Sequence, residues 1–196
     1  MHPDAALSTF RLAEGTAIAP ASPWYAAPVT LDSPALDVMT DLTKVKAATI
    51  SPDRTLGQAE QAMIHQGVRM LFVVDEMPRL EGLITSTDLR GERQMSVGQA
   101  RQLRFDEMRV ADVMTPLAML DAIAFERMAH ASVGNMVATL KEVGRNHLLV
   151  VEGGSAGLPP RVRGVISRAQ IERQLGRAIE VSEVPGNFAE VVQALR

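Results

Sequence analysis

"GLITSTDL", residues 82 to 89, ends an apolar run and passes at once to Thr85, Ser86, Thr87 and Asp88, while "GVISRAQI", residues 164 to 171, has the same outline with Gln170 where Asp88 would stand. Two readings compete at the first copy. A hydroxyl at Thr85 and a carboxylate three residues on suit a capping box, in which each side chain satisfies a free backbone N–H at a helix start. On one copy alone the cap is the stronger reading, and a ligand would use the same geometry differently. A carboxylate accepts hydrogen bonds from both hydroxyls of a ribose, and a hydroxyl beside helix N-terminal N–H groups suits a phosphate.

Working outward, the echo extends through the chain. "DVMTDL" at 37 to 42 returns as "DVMTPL" at 112 to 117, and "GVRMLFVVD" at 67 to 75 returns as "GRNHLLVVE" at 144 to 152. "GLIT" at 82 to 85 returns as "GVIS" at 164 to 167. The offset between copies grows from 75 to 77 to 82 residues, so order is kept while loops lengthen, the last step falling in "GGSAGLPPR". Two ordered copies of this length describe a duplicated subdomain rather than a solenoid.

Each copy has the same local grammar. Leu56, Ala59 and Met63 recur at helical spacing before Gly67, and Val133, Met136, Val137, Leu140 and Val143 form an apolar stripe closed by Gly144. Ile171, Leu175 and Ile179 lie four apart on a last helix. "VRMLFVV", "LEGLIT", "HLLVV" and "VRGVI" read as strands, with "AATI" (47 to 50) and "DAIAF" (121 to 125) as opening strands. Each repeat is therefore strand, helix, strand, strand, helix, and too small to bury its sheet well alone. The organisation expected is an extended arm over 1–36, a first repeat over 37–93, a partly helical linker over 94–108, a second repeat over 109–180 and a C-terminal helix over 181–196. Pro20, Pro23 and Pro28 punctuate the arm, which carries Trp24 and Tyr25; Phe188, Val191, Val192 and Leu195 give the tail its helical spacing.

The 196 residues are 46% hydrophobic and 22% charged, the balance of a soluble globular chain. A net charge of −3 leaves no basic footprint for nucleic acid or an anionic membrane, so neither is expected as a partner. The absence of cysteine excludes disulfides, thiolate metal sites and cysteine nucleophiles. His2, His65, His130 and His147 have no metal-ligand spacing, so no metal is expected, and neither a Gly-x-Ser-x-Gly elbow nor a GxxxxGK(S/T) loop occurs. No apolar run approaches the roughly 18 residues of a membrane span. The N-terminus lacks a basic start followed by an apolar core, so the cytoplasm is the expected compartment.

On the paired "VMT", "VVD/VVE" and Gly-apolar-apolar-(Thr/Ser)-x-x-Asp elements, residues 38 to 176 resemble a tandem of CBS domains, the modules named after cystathionine β-synthase and called a Bateman module when paired. The resemblance implies an α/β (α+β) fold of two repeats, each a small three-stranded sheet with helices, packed with pseudo-two-fold symmetry. It implies a regulatory, non-catalytic module that binds an adenosine derivative (AMP, ADP, ATP or S-adenosylmethionine) between the repeats and forms a homodimer. By the same resemblance Thr85 and Asp88 take phosphate and ribose, faced by Ala122, Ile123, Arg145, Asn146 and His147 of the second repeat. A second cleft would use Ala48, Val68, Arg69, Met70, Ser167 and Gln170. That cleft is expected to be degenerate, because a neutral amide at Gln170 forms weaker bonds to hydroxyls than a carboxylate does. Arg69, Arg90, Arg145 and Arg168 are candidates for phosphate charge. The alternative is a non-catalytic dimeric scaffold whose clefts have decayed, and either role leaves room for an unidentified protein target.

Overall fold

The computed structural model describes residues 11, 13–17, 27–153 and 159–180. The arm aromatics Trp24 and Tyr25 and the helix expected over 181–196 lie outside the described residues.

Local chemistry accounts for the elements. In chain order these are β1 (Met39–Asp41), β2 (Thr49–Ile50), α1 (Leu56–Gln66), β3 (Met70–Val74), β4 (Leu80–Thr85), α2 (Glu92–Arg101), α3 (Val110–Val113) and β5 (Thr115–Pro116). They are followed by β6 (Ala122–Ala124), α4 (Phe125–Met128), α5 (Val133–Val143), β7 (His147–Glu152), β8 (Arg161–Ser167) and α6 (Arg168–Leu175). Helix α1 opens on a Thr55–Gln58 capping box and α5 on a Ser132–Asn135 box. Both end on a glycine in the left-handed region, Gly67 at φ 64° and Gly144 at φ 61°, where a side chain would be strained. The expected stripes face inward: Leu56, Ala59 and Met63 on α1, and Val133, Met136 and Leu140 on α5, are buried. Helix α6 is shorter than its spacing suggested. It stops at Leu175, and Ile179 lies beyond its end, buried against the second-repeat core while its N–H donates to Glu172 Oε1 at 2.9 Å.

The sheets are ordered β2-β3-β4-β5 and β1-β8-β7-β6. The three strands of each repeat thus gain a fourth lent by the other. Strand β1 leads into the first repeat but pairs antiparallel with β8, Asp41 opposite Gly164; β5 pairs antiparallel with β4, Pro116 opposite Gly82. This crossing explains the glycine in each copy of the motif. A Cβ at Gly164 would sit 2.7 Å from Met39 Sδ and 2.9 Å from the Thr40 carbonyl oxygen, and one at Gly82 would overlap the Thr115 carbonyl oxygen.

Successive side chains of a strand point to opposite faces. Leu71, Val73 and Ile84 accordingly enter the core under the first repeat's helices, and Leu148, Val150 and Ile166 the core under the second's. Phe72, Leu83, Leu149 and Val165 turn the other way and meet between the sheets. Burial on both faces is why these strands read as unbroken apolar runs.

Candidate functional site

Thr85 closes β4 on the same face as Leu83, towards the second sheet. Its N–H and its hydroxyl each donate to Asp88 Oδ2 at 2.7 Å, and the Asp88 N–H donates to Thr85 Oγ1 at 3.3 Å. The reciprocal bonds expected of this pair are formed, with both residues half-buried, but they close a turn rather than cap a helix: the short 3-10 helix Asp88–Arg90 follows Thr87, whose side chain makes no cap bond. Both bonds that the Asp88 carboxylate accepts use Oδ2; Asp88 Oδ1 accepts none from the described residues. Beside this turn runs the start of β3, since Met70 lies opposite Thr85 and the Ser86 N–H donates to the Arg69 carbonyl at 2.9 Å.

The second copy is built differently. Ser167 closes β8 opposite His147, and the Arg168 N–H donates to the Asn146 carbonyl at 2.9 Å. Ser167 stands at the N-cap of α6 yet its side chain makes no cap bond, so the box expected from Ser167 and Gln170 does not form. The reason is that Gln170 is engaged along the helix: its Nε2 donates to Gln174 Oε1 at 2.9 Å and its Oε1 accepts from Arg173 Nη1 at 3.2 Å. His147, half-buried on the face shared with Leu149, has a pKa lowered from 6.5 to about 4, first by burial and second by the Arg168 charge. Its imidazole is therefore neutral at neutral pH.

Strand register sorts the other expected residues. Arg69 and Met70 run alongside Thr85, while Asn146 and His147 run alongside Ser167. Ala122 aligns with Leu149 and so faces the inter-sheet side, whereas Ile123 packs against the second-repeat helix core and Ala48 and Val68 against the first. No hydrogen bond or ion pair among the described residues joins Asp88 to Ala122, Ile123, Arg145, Asn146 or His147. Of the arginines, Arg90 pairs with Glu60 at 2.7 Å, Arg168 with Glu172 at 3.4 Å and Arg145 with Asp121 at 4.0 Å. Arg69 is exposed and in no ion pair among the described residues.

Two surface concavities lie between the opening strand and first long helix of each repeat. One, of about 440 Å³, is lined by residues that include Thr49, Arg54, Gln58 and Asp75. The other, of about 600 Å³, includes Ala122, Ile123, Arg127, Asn135 and Thr139. Neither is lined by Thr85, Asp88, Ser167 or Gln170.

Sequence reasoning missed two buried polar residues. Asp41, 7% exposed at the end of β1, accepts from the Thr43 N–H at 2.8 Å and hydroxyl at 2.6 Å and pairs with Arg163. Arg163 also lies 3.4 Å from Glu152 and 5.1 Å from the Phe125 ring centroid. Gln174, 3% exposed, is the second. The one linear hint at Asp41 is that the other copy of its motif has Pro116 in its place.

Residues 35–94 match the family model described as "CBS domain". Among solved structures, an uncharacterized conserved protein from Pyrococcus horikoshii is similar at 18% identity and TM-score 0.55, covering 79% of this chain and 100% of its own. A protein with CBS domains from Burkholderia ambifaria is similar at 20% identity and TM-score 0.50, covering 66% and 82%. The CBS domain of a bacterial CNNM/CorC family Mg2+ transporter, in complex with an inhibitor, is similar at 15% identity and TM-score 0.51, covering 76% and 81%. No curated protein matches the sequence. Among the described residues, no helix is long and apolar enough to cross a membrane.

Proposed function

We propose, from the premise that the chain is a CBS-domain protein with the fold of a CBS pair, that it is a regulatory module binding an adenosine derivative at the Thr85–Asp88 turn. The ligand class is AMP, ADP, ATP or S-adenosylmethionine. One observation carries the reading: Asp88 spends Oδ2 on its own turn and keeps Oδ1 open, at the point where β4 leaves the sheet on its inter-sheet face. An ionised carboxylate oxygen with free lone pairs is the acceptor a ribose diol needs. Arg69, alongside and without an ion pair among the described residues, supplies charge for a phosphate. Ala122, Arg145, Asn146 and the neutral His147 form the purine wall, where a mostly apolar surface with a few polar groups suits the base; Ile123, packed into the second-repeat core, takes no part in it. A ligand held between the repeats shifts their relative pose by its differential affinity for the two arrangements, and that shift is the signal read by a partner. The module acts as a homodimer without catalysis.

Thermal or urea unfolding with each ligand tests this. At about 100 times Kd a binder gains roughly 2.7 kcal/mol of stability, and Asp88→Ala removes that gain. Unchanged stability with all four compounds at millimolar levels refutes the reading; loss of the response in Ser167→Ala but not in Asp88→Ala moves the site to the other copy. The scaffold alternative draws on a separate observation, that Oδ2 is already taken by the Thr85 N–H and hydroxyl of its own turn. It predicts a dimer in solution that is indifferent to nucleotide.

A further inference from the structure

We infer that Gln170 and Gln174 form a donor relay that fastens the N-terminal arm and the lead into the exchanged strand to α6, and that position 170 is committed to this anchor in place of a second ligand site. Naming what it replaces rests on the ligand-binding reading above; the anchor itself does not.

The direction of the relay follows from its buried end. Gln174 side-chain nitrogen lies 3.0 Å from the Ala27 carbonyl oxygen and 3.1 Å from that of Asp37. Carbonyl oxygens only accept, so the atom facing both is Nε2, and both of its protons are used. Oε1 is thereby turned the other way and needs a donor, which Gln170 Nε2 supplies at 2.9 Å. Gln170 Oε1 is left to accept from Arg173 at 3.2 Å. Two backbone carbonyls thus set the orientation of both amides. The main-chain oxygen of Gln174 adds a third tie by accepting from the Val29 N–H at 3.0 Å.

These ties meet at a mechanically sensitive place. Ala27 and Val29 belong to the arm, and Asp37 lies in the 3-10 turn Ala35–Val38 that feeds β1, the strand lent to the second sheet. A carboxylate at 170 would offer Gln174 Oε1 only acceptors, and a buried acceptor left without a donor costs its desolvation. Holding a diol asks for a carboxylate there, and holding the arm asks for a donor. One side chain cannot do both.

Hydrogen exchange on the full chain, with AMP titration calorimetry alongside, decides the matter. Gln170→Asp should speed amide exchange at Val29 and across the turn Ala35–Val38 by about fivefold, the effect of losing one net hydrogen bond, and Gln174→Glu, which removes the donations to both Ala27 and Asp37, by more than that. The double variant should exceed the larger single effect little, because both lie on one relay. Gln170→Met, which keeps the shape at a half-buried position, should act like Gln170→Asp if Gln174→Glu fails to fold. Unchanged exchange in both Gln170 variants overturns the anchor. So does a Gln170→Asp protein that gains a second equivalent of AMP while its arm stays protected. If the wild-type chain binds no AMP, the ligand reading loses that ligand while exchange still decides the anchor.

Discussion

Replacing Gly82 with alanine probes the strand exchange directly. The added methyl overlaps the Thr115 carbonyl oxygen and lies 3.2 Å from both Pro116 Cα and Thr115 C, all backbone atoms of β5. No rotamer change relieves such a contact; β5 must move away. Overpacking of this kind costs about 1–3 kcal/mol. Displacing β5 also weakens the pairing at Gly82–Pro116 and Leu83–Thr115, with each lost hydrogen bond worth about 1 kcal/mol net. The combined loss is about 3 kcal/mol, which for a chain of this size lowers the melting temperature by roughly 6–12 °C. Gly57→Ala is the internal control. Its methyl meets only Thr55 Oγ1 at 3.9 Å on α1, and replacing a helical glycine should raise stability by up to ~0.5–1 kcal/mol. Calorimetry on the two variants and the parent gives the comparison. A Gly82→Ala protein that melts with the parent would refute the close approach of β5, and with it the exchange.

Two further outcomes follow from buried polar groups. Because the folded-state pKa of His147 is depressed to about 4, the unfolded chain takes up a proton that the folded chain refuses as pH falls from about 6.5. Its contribution to stability is therefore full above that range and declines towards pH 4, by about 3 kcal/mol at ~1.4 kcal/mol for each tenfold in proton affinity. Urea midpoints against pH should lose this slope in His147→Gln, and an unaltered slope would remove His147 as its source. Asp41→Ala strips Arg163 of one partner while leaving Glu152 at 3.4 Å. The cost should be about 2–3 kcal/mol, below the usual range for breaking a buried pair because that second carboxylate remains. Adding Arg163→Met should recover part of the loss in a double-mutant cycle, and strictly additive costs would contradict the pairing.

What the linear chain determined is local. The stripes on α1 and α5, their glycine stops and the Thr85–Asp88 turn depend on contacts three or four residues apart, which backbone geometry imposes on any sequence with those spacings. Duplication was legible too, because both copies keep the same order. The lending of β1 and β5 was not, since strand pairing between distant segments leaves no periodic mark, and Gly82 and Gly164 became meaningful only once a carbonyl was found against each. Position 170 shows the same limit. Its departure from a carboxylate was plain in the sequence, but the reason lies 137 and 147 residues from Gln174, at Asp37 and Ala27. Likewise Asp41 and Arg163 are 122 residues apart. Periodicity records which face of an element is apolar; which faces meet, and which buried polar groups must then find partners, is settled only when the whole chain closes on itself.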